Sequence, residues 1–251
     1  MGIIADLIAS LSPAATEYTV QRMCIGLYWS IVVFDTPKGP VAGLSSTLGA
    51  GAHHHGPNAD VTEAGRLHTK NALELAQFAS SPSTHERTVG LAAINALLDV
   101  DESACTELNA GDWLLKNSVD KHVVVVGHFP FTNQLRAAAG HVDVLELNPQ
   151  EGDLPADRAA DVIPNADIVS ITGTTLLNDT FDELIALCRP ESYVMVLGGT
   201  TPMSPCFFEY GVDMVAGAIV ANPDAAYHAC SQGANFRQVP GKRLLTLERE
   251  A

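Results

Sequence analysis

Four short polar segments carry the residue types best suited to bind a ligand, and each follows an apolar run. They are residues 127–131 (GHFPF), 146–149 (ELNP), 172–175 (TGTT) and 198–202 (GGTTP). In an open α/β sheet, ligands bind beyond the carboxyl ends of the strands, so these segments are candidate binding loops. Segment 172–175 is the most informative, because glycine allows close backbone approach while hydroxyls and free N–H groups could hold a carboxylate or phosphate. It could equally be an ordinary strand-to-helix turn with capping threonines.

The first of these segments bears on whether the chain binds a dinucleotide. Glu146 follows Gly127 at close to the spacing of about 20 residues at which an acidic residue holds the ribose of NAD. However, GHFPF does not match GxGxxG, since Phe129 and Phe131 are bulky and Pro130 lacks the N–H that a pyrophosphate would need. The sequence therefore disfavours NAD(P) as a cofactor. It leaves open a nucleoside or a small aromatic molecule stacked near Phe129.

Histidines raise the alternative of a metal site. His53, His54 and His55 are consecutive, and three imidazoles in a loop could bind a heavy or transition metal such as Zn, Ni or Cu. Adjacent side chains rarely converge on one ion, and the chain has no HExxH motif, so a solvated loop is the favoured interpretation. His128 follows a buried strand and should lie at the binding edge of the sheet, although it could simply be bonded within that edge.

Strands and helices alternate in the second half of the chain. Strands are predicted at residues 122–127, 142–147, 167–172, 193–197 and 212–220. Helices are predicted at residues 132–140, 155–163 and 180–188, with a further helix beginning at 222. Thr180 and Glu183 match a capping box at the start of the third helix. Repeated βα units predict an α/β fold, a Rossmann-like parallel sheet wrapped by helices.

The first half predicts a smaller α+β unit. We expect a helix at residues 2–11, a hairpin from strands at 24–36 and 41–47, and helices at 67–79 and 86–98. The Gly- and His-rich stretch 49–57 should be a loop, and Ser83 with Glu86 matches a capping box. Near residue 100 the predicted elements change from a hairpin with helices to alternating strands and helices. We therefore predict two domains, residues 1–100 and 101–251.

The overall composition excludes several classes of protein. Of 251 residues, 47% are hydrophobic and 17% charged, so the chain can bury a large core and is not intrinsically disordered. A net charge of −15 argues against binding to nucleic acid or to an anionic membrane. No apolar run approaches the roughly 18 residues of a membrane span, and the N-terminus lacks the basic region of a secretory signal, so we predict a cytoplasmic location. Five scattered cysteines predict neither a disulfide framework nor a four-thiolate zinc site.

Several longer segments together resemble one protein family. They are residues 83–98 (STHERTVGLAAINALL), 126–131 (VGHFPF), 146–155 (ELNPQEGDLP), 167–180 (DIVSITGTTLLNDT) and 198–217 (GGTTPMSPCFFEYGVDMVAG). With these segments the chain resembles the family described as "putative heavy-metal chelation", over nearly its whole length. The resemblance implies an N-terminal domain similar to the enolase N-terminal domain, then a Rossmann-like domain, with a cleft between the two.

The resemblance also implies which residues line that cleft. They are Gly127, Phe129, Glu146, Thr172, Gly173, Thr174, Thr175, Asn178 and Gly198, with Glu86 and Asn95 facing the cleft from the first domain. One position departs from the pattern: Gly199 stands where relatives often have proline, which is expected to loosen the loop after the fourth predicted strand.

Three functions follow as hypotheses. The first is a small-ligand protein that binds a metal or a metal-chelating molecule in the interdomain cleft, with Glu146 and segment 172–175 as anchors. The second is a transferase or lyase acting on a nucleoside or an anthranilate-like aromatic acid in the same cleft. The third is a scaffold that binds no small ligand. A homo-oligomer is compatible with each of them.

Overall fold

Two β-sheets organise the chain in the computed structural model, which describes residues 2–48 and 60–250. A three-stranded antiparallel sheet lies in the first half, and an eight-stranded, mostly parallel sheet lies in the second. The predicted α/β class, with a smaller N-terminal α+β part, is therefore confirmed. Within the described residues, no helix combines the length and the apolar character needed to cross a lipid bilayer.

The smaller sheet has the strand order β1-β2-β3. Its strands are β1 (Thr19–Cys24), β2 (Trp29–Asp35) and β3 (Val41–Ser46), and its helices are α1 (Ile3–Ala9), α2 (Ala72–Ala76) and α3 (Thr84–Leu97). The predicted hairpin is β2 and β3. The single strand predicted over residues 24–36 is wrong at its start, since Cys24 ends β1 and the chain turns before Trp29. This turn is too tight for a side chain at Gly26, because a Cβ there would lie 2.4 Å from the Trp29 carbonyl oxygen.

Helix α3 packs against β3 at backbone-to-backbone distance. A Cβ at Gly43 would lie 2.2 Å from the Ala92 carbonyl oxygen, so only glycine allows this approach. The helix predicted over residues 67–79 is interrupted, because Asn71 caps a new helix: its side chain accepts a hydrogen bond from the Glu74 N–H at 2.9 Å. The spacing of apolar residues in this segment did not reveal that the helix begins only after Asn71.

The larger sheet has the order β4-β11-β10-β9-β8-β5-β6-β7. Its strands are β4 (Cys105–Thr106), β5 (His122–Val126), β6 (His141–Glu146), β7 (Leu154–Pro155), β8 (Ile168–Thr172), β9 (Tyr193–Leu197), β10 (Met214–Val220) and β11 (Lys242–Glu248). The five predicted strands are all present. The three that the prediction missed are the two-residue strands β4 and β7 and the antiparallel strand β11.

Helices cover both faces of the larger sheet. They are α4 (Ala110–Asn117), α5 (Thr132–Ala138), α6 (Ala159–Val162) and α7 (Phe181–Ile185). Helix α8 (Pro223–Ser231) packs instead on β2 of the smaller sheet, where Ala226 and Cys230 share a core with Ile31 and Val33. Val123 and Val125 of β5 pack with Leu114 of α4 on one face. Val124 points the other way and belongs to a core that also contains Phe34 of β2. A strand buried on both faces explains the unbroken β-branched run, and this shared core joins the two halves of the chain.

Two predicted capping boxes differ from the structure. The Thr180 side chain does not cap α7; its hydroxyl donates to Asn178 Oδ1 at 2.7 Å instead. Ser83 does accept from the Glu86 N–H, at 3.5 Å, but the Glu86 carboxylate does not return the bond to the Ser83 backbone. The Glu86 carboxylate is bound elsewhere, because tertiary partners compete successfully with the local helix cap.

Candidate functional site

A cavity of about 350 Å³ lies at the carboxyl ends of β5, β6 and β8. In the larger sheet, successive strands are added first toward β7 and then, from β8 onward, on the opposite side of β5. The cavity is therefore at the topological switch point of a Rossmann strand order, where ligands bind in open α/β sheets. Its volume is at the lower end of the range for small-molecule sites.

The structure brings together eight of the residues that the sequence singled out. The cavity is lined by Gly127, His128, Phe129, Glu146, Thr172, Thr174, Thr175 and Asn178. Gly173 and Gly198 are adjacent in sequence to strand ends but are not part of this lining. Gly173 instead packs on Thr201, whose Oγ1 would lie 2.4 Å from an added Cβ. The candidate metal ligands His53, His54 and His55 lie outside the described residues.

The described lining of the cavity comes from the second half of the chain alone, between residues 126 and 187. Glu86, expected to face the cleft from the first half, is buried and accepts hydrogen bonds from Ser81 and from the Thr62 N–H. Burial alone would raise the pKa of Glu86, but these hydrogen bonds outweigh it and hold the pKa below its usual range. Glu86 thus joins the N-terminus of α3 to the chain around Thr62.

Asn95 also has a tertiary role at the boundary between the two halves. Its Nδ2 donates to the Leu44 carbonyl at 2.8 Å and to the Thr200 carbonyl at 3.1 Å. These bonds tie α3 to β3 and to the loop after β9. Gly199 in that loop packs against Phe236 and Trp29, whose rings would lie within 3 Å of an added Cβ. Gly199 is thus closely packed between two aromatic side chains, and the expected loosening of the loop stays a prediction.

Glu146 connects the end of β6 to the turn that follows β5. Its Oε1 accepts from the His128 N–H at 2.6 Å, and its Oε2 accepts from the Leu147 N–H at 3.1 Å. Gly127 begins this turn with a φ of +99°, a conformation that L side chains rarely adopt. Each carboxylate oxygen can accept a further hydrogen bond, so Glu146 can still bind a donor within the cavity.

Threonine hydroxyls form the opposing polar group at the end of β8. The Oγ1 atoms of Thr172 and Thr174 are 3.1 Å apart, and the Thr175 hydroxyl donates to the Thr172 carbonyl at 2.7 Å. The Thr174 N–H donates to Thr172 Oγ1 at 3.4 Å, so it is partly used within the turn. The hydroxyl pair of Thr172 and Thr174 is the part best placed to exchange hydrogen bonds with a ligand, because each can donate or accept.

His128 is oriented by a buried carboxylate. Its Nδ1 lies 3.1 Å from Asp153 Oδ2, and Arg136 donates to Asp153 Oδ1 at 2.7 Å. No part of the Asp153 side chain is exposed. Burial alone would raise the pKa of Asp153, but hydrogen bonds from Arg136, Gln150 and His128 outweigh it and hold the pKa below its usual range. An Nδ1–H bonded to Asp153 leaves Nε2 as an acceptor, which is the arrangement of a general base.

Asp153 was not among the residues predicted for the site. It lies in the segment ELNPQEGDLP, 25 residues after His128. The two side chains meet because β5 and β6 pair in parallel, which brings the segments that follow these strands to the same edge of the sheet. An acidic residue in a polar loop gives no local signal that distinguishes it from its neighbours. The charge of the cavity is also set by tertiary structure: its described lining includes Glu146 and Glu183 and has no Lys or Arg.

Two family models match the chain, DUF4213 over residues 8–98 and DUF364 over residues 109–248, and both carry the description "Putative heavy-metal chelation". The second match alone covers more than half of the 251 residues. The chain belongs to this family. The predicted resemblance is thereby confirmed, and the family description supports a metal or a small molecule as partner without specifying an activity.

Three proteins in the comparisons match over most of the chain. The "Uncharacterized protein MJ0500" of Methanocaldococcus jannaschii is 27% identical over 223 residues, which are 86% of this chain and 84% of that protein. A DUF364-family protein of unknown function from Desulfitobacterium hafniense has a crystal structure with a TM-score of 0.79 and 21% identity, covering 98% of this chain and 97% of the other. One from Pyrococcus horikoshii gives a TM-score of 0.81 at 18% identity and 98% coverage of each chain. At these identities the solved structures show the fold.

Proposed function

We propose that the cavity at the ends of β5, β6 and β8 binds a small organic molecule that carries hydroxyl groups and has no net negative charge. A neutral or cationic metal complex of a chelator that keeps free hydroxyl groups meets this description and agrees with the family description. The observation that carries the proposal is that Glu146 and the Thr172–Thr174 hydroxyl pair line the same cavity, with no cationic side chain in its described lining. Carboxylates without a neighbouring cation disfavour a phosphate or a free carboxylate as ligand.

An organic ligand is better supported in this cavity than a bare metal ion. Both Glu146 oxygens already accept backbone N–H groups, and His128 is bonded to Asp153. In the described part of the chain, the His, Cys, Asp and Glu side chains that come close enough to share one ion lie elsewhere. Hydroxyl groups of a ligand would need only the remaining acceptor capacity of Glu146 and the two threonine hydroxyls.

The turn after β5 also supports the expectation that NAD(P) is not the ligand. The His128 N–H donates to Glu146, and the Phe129 N–H donates to Thr132 Oγ1 at 3.1 Å. Pro130 has no N–H. A pyrophosphate would find few free donors in this turn, so NAD⁺ is expected to leave thermal stability unchanged.

Thermal denaturation of protein without an affinity tag tests the proposal. The probes are catechol alone, its 1:1 Ni²⁺ and Fe³⁺ complexes, adenosine and inorganic phosphate. A ligand at 100 times its Kd should add about 2.7 kcal/mol to the free energy of unfolding. We expect stabilisation by a chelator complex or by adenosine and none by phosphate.

Variants locate the binding site. Glu146→Gln and Thr174→Val should each abolish the stabilisation, whereas Glu191→Gln, which alters an exposed glutamate away from the cavity, should retain it. The proposal would be contradicted if the stabilisation survived in both cavity variants. It would also be contradicted if phosphate were the only probe that stabilised the protein.

A second candidate function is catalysis in the same cavity. The observation that favours it is the His128–Asp153 pair beside Glu146, since a histidine oriented by a buried aspartate can act as a general base. The substrate would be a nucleoside or an anthranilate-like aromatic acid, and the enzyme a transferase or lyase. Mass spectrometry of reactions with S-adenosylmethionine and these compounds tests it. Turnover that is lost in His128→Gln, with binding retained, would favour an enzyme over a binding protein.

A further inference from the structure

A second group of side chains converges at the opposite end of the parallel sheet, where β5 and β6 begin. His122 is the first residue of β5 and is paired with His141, the first residue of β6. Asp143 lies two residues after His141, and therefore on the same face of β6, because side chains alternate along a strand. We propose that His122, His141 and Asp143 bind a divalent transition-metal ion such as Zn²⁺, at a site separate from the cavity.

The three side chains already hold their donor atoms close together. Asp143 Oδ2 lies 2.9 Å from His122 Nε2 and 3.2 Å from His141 Nε2, and the candidate donor atoms are all within 4.8 Å of one another. Metal–ligand bonds of about 2.0–2.2 Å place the donors of a tetrahedral ion roughly 3.3 Å apart. Only small side-chain movements are therefore required, and the two paired strands hold the donors on rigid backbone.

The hydrogen bonds of His122 provide an independent reason to expect a cation. Its Nδ1 lies 3.2 Å from the Asn165 carbonyl oxygen, while its Nε2 faces the Asp143 carboxylate. Both partners are acceptors, but a neutral imidazole has only one N–H. When Nδ1–H bonds to Asn165, the lone pair of Nε2 faces a carboxylate oxygen, and a metal ion between them would bind both. A backbone carbonyl on the second ring nitrogen is a common feature of metal-ligating histidines.

Access to solvent is suited to an ion with further water ligands. The His141 side chain is 65% exposed, whereas Asp143 is 16% and His122 is 22% exposed. A cationic neighbour, Arg158, interacts with Asp143 electrostatically but forms its ion pair with Asp161 at 2.5 Å. One open side and two partly buried donors describe a site with three protein ligands and an open coordination position.

Two imidazoles and one carboxylate determine the class of metal. Imidazole suits Zn, Ni and Cu, whereas Mg and Ca prefer sites built of oxygen alone. The sequence carried only part of the signal for this site, because Asp143 lies in the strand predicted over residues 142–147 while His141 precedes it; in the structure both lie on β6. Which residue of the neighbouring strand lies beside them depends on the register of β5 and β6, which the sequence does not specify.

Calorimetric titration of tag-free protein with ZnCl₂ tests the proposal. The titrated protein carries the substitutions His53→Asn, His54→Asn and His55→Asn, so that the consecutive histidines do not contribute. We expect one Zn²⁺ per chain, and at least 10-fold weaker binding in Asp143→Asn and in His141→Gln. His141→Gln changes an exposed side chain, so it keeps the test valid if Asp143→Asn does not fold.

His228→Gln is the matched control, since His228 is 60% exposed and lies 3.7 Å from Asp224 on α8. It should leave the affinity for Zn²⁺ unchanged. Co²⁺ bound to the parent protein should show the visible absorption of a four-coordinate ion. This absorption should be absent in His141→Gln. An affinity for Zn²⁺ that is equal in parent, Asp143→Asn and His141→Gln would overturn the proposal, as would the absence of binding once positions 53–55 are changed.

Discussion

The two ends of the parallel sheet present their polar groups in different ways. At the carboxyl end, the Glu146 carboxylate is bonded to the backbone of the turn after β5 and the Thr172 hydroxyl to the backbone of its own turn, and a cavity lies between these turns. At the amino end, the donor atoms of His122, His141 and Asp143 lie within 4.8 Å of one another, and none of these residues lines that cavity. Backbone turns surround a volume that suits an organic molecule, whereas converging side chains suit a single ion.

The same difference applies to stability. The carboxyl-end residues hold the turns in place, so their replacement should affect the fold as well as ligand binding. The amino-end side chains stand on strands whose pairing does not depend on them. Four substitutions test this comparison.

The largest effect is expected from Gly127→Ala. Gly127 has a φ of +99°, and an added Cβ would lie 2.9 Å from Thr172 Cγ2, so strain and a steric clash combine. We expect a loss of about 3 kcal/mol in the free energy of unfolding, measured with urea. Gly39→Ala is the control, because Gly39 has a φ of +109° but no atom within 4 Å of an added Cβ. Equal losses in the two variants would show that contact with Thr172 contributes nothing.

A somewhat smaller loss, about 2 kcal/mol at neutral pH, is expected from Asp153→Asn, because hydrogen bonds to a buried charged group are removed. The pKa of Asp153 is lower in the folded state, so the stability it contributes is present above its unfolded pKa of about 3.9. That stability is lost as the pH falls through the folded value.

Urea denaturation between neutral and acidic pH measures this effect. The difference between the parent and Asp153→Asn should therefore shrink with acidification. Asp161→Asn, which removes an exposed ion pair with Arg158, should change stability by less than about 1 kcal/mol at any pH. A difference for Asp153→Asn that is independent of pH would contradict the assigned role of its charge.

Glu146→Gln should cost about 1 kcal/mol, because the amide can accept from only one of the two N–H groups that the carboxylate binds. Hydrogen exchange of the His128 amide should become faster, which reports the loosened turn. In Glu191→Gln neither quantity should change. An unaltered exchange rate in Glu146→Gln would mean that the carboxylate does not hold the turn.

The smallest effect is expected from His141→Gln in the absence of metal. The side chain is largely exposed, so we expect a change within about 0.5 kcal/mol in urea denaturation with a chelator present. In the presence of Zn²⁺, the parent should become more stable than the variant. A large loss without metal would show that the amino-end cluster supports the fold, and the contrast between the two ends would disappear.

Much of the second half could be predicted because the relevant signals are local. The run HVVVV and the segment Tyr193–Leu197 are β-branched and apolar, and both are buried strands in the structure. Asn222 caps the helix that begins at Pro223, as expected from their order. The failures are explained by partners that compete with the helix caps: Thr180 donates to Asn178, two residues earlier. Glu86 accepts from Ser81 and from the more distant Thr62 rather than completing a helix cap. The division into domains at residue 100 stays a prediction.

The sequence alone determined the five longer parallel strands of the larger sheet, the polar loops after them and the family, since each depends on residues close together in the chain. Only the tertiary structure decided which of these loops share a cavity, that Glu86 and Asn95 do not line it, and that Asp153 orients His128. It also placed His122 beside His141. The reason is that strand order and register arise from packing and pairing between distant segments, and residues at such distances leave no periodicity in the sequence that would reveal their contact.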